Sequence, residues 1–219
     1  MRKLPVLVSD MDGTLVNLMD EAINLIWDAL HVPLTPEDCT YYDVTRSFLP
    51  KLQHKLDGKA LDDCLRKHVW DNPEVYRNAR PYWSMHQAYQ AWLAANGDIV
   101  FVTGRPDTKG VIAATKGWLR DWGYTSCGVC FSSTYAGGKA QVLRDEVLAR
   151  GTEVWVAEDD TRTAKAMAEV LAGDMAKGLG VSGAVYLVSR PWTQNTYGGL
   201  LEKRYLEQDM AERIEESRP

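Results

Sequence analysis

Two carboxylates stand two residues apart in Asp10-Met11-Asp12-Gly13-Thr14-Leu15, directly after the apolar run Leu4–Val8. A pair so spaced can converge once the chain leaves a strand: one acid can attack an electrophile while the other gives or takes a proton. Gly13 permits a sharp turn without a Cβ clash. The plainer, less favoured reading of the segment alone is an Asp-Gly turn with a spare acid.

Three further features carry chemistry. Thr103 ends a second apolar run in Val102-Thr103-Gly104-Arg105-Pro106, where a hydroxyl and free backbone N–H groups can hold phosphate oxygens. Lys139 opens a helix after Gly137-Gly138, so a point charge sits beside a helix N-terminus that already favours anions. The surroundings are not a Walker A loop, which needs an earlier glycine and a following Ser or Thr. Glu158-Asp159-Asp160 follows the run Val154–Ala157. Acids so crowded repel one another unless a cation is present, and hard oxygen ligands select Mg²⁺. Individually these are a helix cap, a solvated lysine and an acidic helix start. Their joint occurrence at the carboxyl ends of successive strand-like runs argues for a site.

The elements that must position these residues are short apolar runs: Leu4–Val8, Ile99–Val102, Val129–Phe131, Val154–Ala157 and Val185–Val188. Continuous runs of this length suit strands buried on both faces. Helical segments separate them. One begins with Ser84 as its cap and ends at Asn96-Gly97; others span 108–122, 139–150 and 162–172. Alternation of this kind predicts an α/β doubly wound parallel sheet, and in open sheets ligands bind outside the strands' carboxyl ends. Residues 16–80 break the alternation. They show a helical stripe, Leu18, Ala22, Ile26 and Leu30, then many aromatics and no clear strand. The predicted organisation is a core from 1–15 and 81–198, a helical cap over 16–80, and a C-terminal helix in 199–219. That helix presents Leu201, Tyr205 or Leu206, Met210 and Ile214 on one face; docking on the core is the simpler reading, a homodimer seam the other.

Composition bounds the rest. The chain has 219 residues, 45% hydrophobic, with net charge −5, enough for one α/β core with a small insert. A mild negative charge gives no general attraction to nucleic acid or anionic membrane, so phosphate recognition must be local. No apolar run reaches membrane-spanning length and no signal peptide is evident, which predicts a soluble, cytoplasmic protein. Of four cysteines, only Cys127 and Cys130 form a C-x-x-C pair; without a second pair or spaced histidines they read as buried free thiols.

The order Asp-x-Asp-Gly-Thr, then Thr, then Lys, then a double acid resembles the haloacid dehalogenase superfamily over about two-thirds of the chain. The resemblance implies a Mg²⁺-dependent phosphatase. Asp10 would be the nucleophile, forming an aspartyl-phosphate. Asp12 would be the general acid/base, its main-chain carbonyl helping to bind the metal. Thr103, Gly104 and Lys139 would hold the phosphoryl group. Asp159 would be a further metal ligand, with Asp160 or Glu158 in support. An acid at position 12 favours phosphate over halide, because a halide leaving group needs no proton.

Within the superfamily the chain is similar to the 5′(3′)-deoxyribonucleotidases, through the insert after the first motif, Arg80-Pro81, Thr103-Gly104-Arg105-Pro106 and Ser189-Arg190-Pro191-Trp192. Gly104 departs from that group, which commonly has another small residue there. The implied substrate is a nucleoside or deoxynucleoside monophosphate. Asn17, Tyr41, Tyr42, Phe48, Trp70, Trp83 and Arg105 are the candidate substrate contacts, since aromatic rings stack on any base. A polynucleotide 3′-phosphatase is the alternative, against which the acidic charge counts. A non-catalytic binding protein would have no need of all the motif residues.

Overall fold

The computed structural model describes residues 4–41, 43–134, 137–193 and 206–217. Its core is a five-stranded, fully parallel sheet: β1 (Val6–Ser9), β4 (Asp98–Thr103), β5 (Gly128–Phe131), β6 (Glu153–Glu158) and β7 (Ser182–Leu187), in the order β5-β4-β1-β6-β7. The runs read as strands are apolar at consecutive positions because both pleat faces are covered. Val6 and Val8, Val100 and Val102, and Val154 and Val156 point into one buried layer. Leu7, Ile99, Phe101, Trp155 and Ala157 point into the other. The chain runs outward from β1 through β4 to β5, then returns to the far side of β1 for β6 and β7. The switch point of the sheet therefore lies at the carboxyl end of β1.

The first layer is covered by α7 (Gly138–Val142) and α8 (Thr161–Ala172), with α9 (Asp174–Gly178) beyond. The second is covered by α5 (Trp83–Ala94), α6 (Lys109–Asp121) and α10 (Leu206–Ser217). Helix α6 starts where Thr108 accepts a hydrogen bond from Val111 N at 3.4 Å, and it stops at Gly123, whose φ of +84° suits glycine. Leu206 and Met210 are buried against the core, so the described part of the tail docks on α5; Leu201 and Tyr205 lie outside the described residues. No described helix is long and apolar enough to cross a membrane.

Between β1 and α5 lies the insert: β2 (Val16–Asn17), α1 (Met19–Leu30), α2 (Val44–Leu52), α3 (Gly58–Leu65), α4 (Pro73–Asn78) and β3 (Arg80–Pro81). It encloses its own cluster, which includes Ala22, Ile26, Phe48, Leu52, Leu61 and Leu65. Strands β2 and β3 pair antiparallel at its base. At two residues each they were too short to show as a periodic pattern.

Other local expectations change. Helix α5 begins one residue before Ser84, with Tyr82 at the cap position and no side-chain cap. The segment 139–150 is not one helix: α7 runs into a π turn at 143–147 and a 3₁₀ turn at 148–150. All four cysteines are free thiols, but only Cys39 is buried; the others are half-buried.

Candidate active site

Strand β1 delivers Asp10 to the switch point, where its N–H bonds Ala157 O of the neighbouring strand at 2.9 Å. The chain then turns back within a few residues: Leu15 and Val16 N–H both bond Met11 O, and Gly13 N–H bonds Val16 O. Gly13 adopts φ +85°, and a Cβ there would fall 2.1 Å from Asp159 Oδ2. The turn thus needs glycine for its conformation and for its closeness to the acid. Thr14 closes it by donating to Asp159 Oδ1 at 3.2 Å.

Asp10, Glu158 and Asp159 offer carboxylate oxygens all within 4.8 Å of one another, and all three residues are buried. Lys139, at the start of α7, stands 2.7 Å from Asp10 Oδ1 and 2.8 Å from Glu158 Oε2. Lys139 thus pairs with two of the three buried acids. Burial, followed by the charge of Asp10, pushes Glu158 up to about 7, with Lys139 pulling the other way. Burial and the same neighbouring charge raise Asp159 well above the carboxylate range. A cluster of hard oxygen donors whose charged forms oppose one another is the donor set a small divalent cation takes. Mg²⁺ fits these residues on that ground.

Asp160, expected at the metal, faces elsewhere. It caps α8, accepting from Arg162 N at 3.3 Å, Thr163 N at 3.4 Å and Thr163 Oγ1 at 2.8 Å. Glu158 enters the cluster in its stead. Its side chain curls back at the strand end, so that Oε1 accepts from the N–H groups of Asp159 and Asp160.

Asp12 lines the cavity outside the cluster and is held by Arg105. Thr103, at the end of β4, is fully buried; its Oγ1 accepts from Arg105 N at 3.2 Å and its carbonyl from Ser132 Oγ at 3.0 Å. Gly104 faces the cavity, with nothing within 4 Å of where its Cβ would be.

The cavity, about 530 Å³, runs from Asp10, Asp12, Lys139 and Asp159 to a far wall from the insert. That wall presents Leu18, Met19 and Val44, the rings of Trp70, Tyr76 and Tyr82, and the charged Asp43, Asp62, Arg66 and Asp71. Of the aromatics singled out in the sequence, Trp70 reaches it. Phe48 does not: it is wholly buried in the insert's own core. Tyr41 is exposed, with Arg46 over its ring, and Trp83 is 61% exposed on α5. Asn17 is engaged at the start of α1, accepting from Met19 N, Asp20 N and Tyr82 Oη. Arg105, expected at the substrate, is enclosed. Tyr42 lies outside the described residues.

Sequence reasoning passed over Tyr76, Tyr82 and Arg190 as site residues. Arg190 donates to the carbonyls of Gly13 at 2.5 Å and Thr14 at 2.8 Å, and its guanidinium lies 3.6 Å from the Tyr82 ring centroid. It clamps the turn that follows Asp12. The Ser189-Arg190-Pro191 segment was the available signal, but nothing in its spacing pointed to the turn.

No family model matches the chain and no curated protein matches it. Solved structures do. The chain superposes on a HAD-hydrolase from Bacillus subtilis bound to magnesium, with TM-score 0.53 and 13% identity, covering 97% of this chain and 99% of that one. A HAD family hydrolase from Deinococcus radiodurans R1, with bound phosphate and sodium, gives TM-score 0.53 and 13% identity over 98% and 96% of the two chains. A haloacid dehalogenase-like family hydrolase from Streptococcus pneumoniae gives 0.51 and 16% over 85% and 86%. At these identities the likeness is one of fold.

Proposed function

We propose that the protein is a Mg²⁺-dependent phosphomonoesterase that works through an aspartyl-phosphate on Asp10, and that its substrate is a nucleoside or deoxynucleoside monophosphate. The observation that carries the reading is the meeting of Asp10, Lys139 and two further buried acids beside a substrate-sized cavity. The metal bound to the Bacillus subtilis structure and the phosphate bound to the Deinococcus radiodurans one agree with it.

Asp10, Asp159 and the main-chain carbonyl of Asp12 would hold the cation, with Glu158 in the same cluster. Mg²⁺ supplies charge neutralisation for the phosphoryl oxygens. An Asp10 oxygen attacks phosphorus, the ester P–O bond breaks, and the leaving oxygen takes a proton from Asp12. Water then attacks the phosphorus of the aspartyl-phosphate and gives its proton to Asp12. Inorganic phosphate departs and Asp10 is restored. Lys139 offsets negative charge on the phosphoryl group throughout. Thr103, through Oγ1 and its carbonyl, fixes the loop from which Gly104 faces the cavity.

The far wall supports the choice of substrate. The cavity's volume falls within the range of small-molecule sites, and Trp70 offers a ring on which a base can stack. Three carboxylates against one guanidinium disfavour a second phosphate beyond the one being transferred. A polynucleotide would need a basic track, whereas here the insert lines the cavity with Asp43, Asp62 and Asp71 against Arg66.

The test is a panel of phosphomonoesters with Mg²⁺: nucleoside mono- and diphosphates, sugar phosphates, and 3′-phosphorylated oligonucleotides. Mononucleotides are expected to lead, and activity is expected to vanish with EDTA and return with Mg²⁺. Preference for sugar phosphates or oligonucleotides would overturn the substrate; undiminished activity in EDTA would overturn the metal.

A further inference from the structure

Arg105 emerges from the loop after β4 and is enclosed, its side chain 0% exposed beside a 26% exposed Asp12. Its Nε donates to Asp12 Oδ2 at 2.8 Å and Oδ1 at 3.1 Å, and Nη2 donates to Oδ1 at 2.6 Å. Nη1 donates to Thr115 Oγ1 of α6 at 3.0 Å. The ring of Tyr76, on α4 of the insert, lies 4.4 Å from Cζ. That ring also lines the cavity. The guanidinium is therefore fixed from the core by Thr115 and covered from the insert by Tyr76, and it spends its fork on one carboxylate. Arg105 borders the cavity, but its side chain is wholly enclosed there.

We infer that Arg105 is a positioning residue: it fixes the Asp12 carboxylate for proton transfer to the leaving oxygen, and Tyr76 ties that placement to the seating of the insert. The inference rests on the phosphatase reading. A planar fork suits the task where an ammonium would not, because two parallel N–H bonds set the plane of the carboxylate as well as its place. Neighbouring elements support this geometry. Helix α4 packs on α6, and Trp118 Nε1 of α6 bonds Ala79 O just past α4 at 2.7 Å, so the ring and Thr115 are held in one frame.

The test compares kcat/KM for p-nitrophenyl phosphate, whose leaving group needs little protonation, with that for the unactivated phosphomonoester the protein hydrolyses best. Both values report the step in which the ester bond breaks. Arg105→Met is expected to lower kcat/KM for the unactivated ester about 100-fold and for p-nitrophenyl phosphate several-fold less. Arg105→Lys keeps the charge without the fork and is expected between wild type and Met. The double variant Asp12→Asn with Arg105→Met is expected to be no slower than Asp12→Asn alone, since both remove one proton transfer. Tyr76→Leu is expected to show the same selectivity more weakly.

Equal losses on the two esters, or additive losses in the double variant, would overturn the inference while leaving the phosphatase reading intact. If Arg105→Met does not fold, Arg105→Lys decides it by the same ratio. An unsubstituted protein inactive on every phosphomonoester would remove the reading and the inference together.

Discussion

The ammonium of Lys139 stands 2.7 Å from the carboxylate of Asp10, and both side chains are nearly enclosed. The same cation reaches Glu158, so its loss would leave three buried acids facing one another. Lys139→Met is expected to cost about 3–5 kcal/mol of stability in metal-free protein, the usual penalty for stranding a buried charge. Turnover is expected to fall about 100- to 1,000-fold from the lost electrostatic support. Chemical denaturation without Mg²⁺ and kinetics with it measure the two effects; a variant normal in both would show that Lys139 does not act on Asp10.

Asp10→Asn separates chemistry from folding. An amide cannot attack phosphorus, so turnover is expected to disappear. Stability is expected to hold or rise in metal-free protein, because the charge of Asp10 is the second cause of the raised Glu158 and Asp159 carboxyls. Removing it relieves both. Measurable turnover with the unsubstituted protein's pattern would rule out the covalent route.

Gly13→Ala tests the contact between turn and acid. A φ of +85° costs a non-glycine residue about 1–3 kcal/mol. The new Cβ would also displace Asp159, whose Oδ2 would lie 2.1 Å from it. A lower melting temperature is expected together with loss of Mg²⁺-dependent thermal stabilisation. Normal Mg²⁺ dependence would mean Asp159 is not needed where it stands.

Much of this site could be read along the chain because parallel strands deliver their carboxyl ends to one edge. Asp10, Thr103 and Glu158 each close an apolar run, and the topology brings these ends together. What failed to show depended on contacts distant in sequence. The pairing of Arg105 with Asp12 could not be read because nothing nearby reveals a partner 93 positions away. The choice between Glu158 and Asp160 stayed open because one residue decides where the strand ends and the helix cap begins; Asp160, followed by Thr161-Arg162-Thr163, caps α8. Phe48 could have been placed: Val44, Phe48 and Leu52 recur every four residues, a stripe facing the insert's own core.

His86 gives the fold a pH dependence away from the site. Its ring is packed among Trp83, Trp122 and Tyr124, and its Nδ1 lies 2.9 Å from Tyr124 Oη. Burial lowers its pKa below the ordinary 6.5. The unfolded chain therefore takes up the proton first. The contribution of His86 is present above the unfolded pKa and is lost as pH falls through the folded one. From about pH 7 down to pH 5 this falling contribution runs against a rising one from Glu158 and Asp159, whose raised carboxyls take up protons first in the folded chain. Denaturation midpoints of His86→Gln are expected to gain on those of the unsubstituted protein as pH falls across that window; a constant difference would show that His86 contributes no pH dependence.

The insert's role in selecting substrate comes down to which rings face the cavity. Trp70 does, while Trp83 is exposed on α5 and Phe48 is enclosed in the insert core. Stacking on a base contributes about 1–3 kcal/mol, so Trp70→Ala is expected to raise KM for a nucleoside monophosphate about tenfold or more. It should leave p-nitrophenyl phosphate nearly unaffected, because that ester has no base to lose. Trp83→Ala should change neither. Phe48→Ala should lower stability by about 3–5 kcal/mol, the cost of an emptied core site, without altering the ratio between the two substrates. If Trp70→Ala raised KM equally for both esters, the ring would be shaping the cavity as a whole. If Trp83→Ala proved the selective variant, the base would have to lie outside the cavity, and the wall that the insert contributes would have no part in reading it.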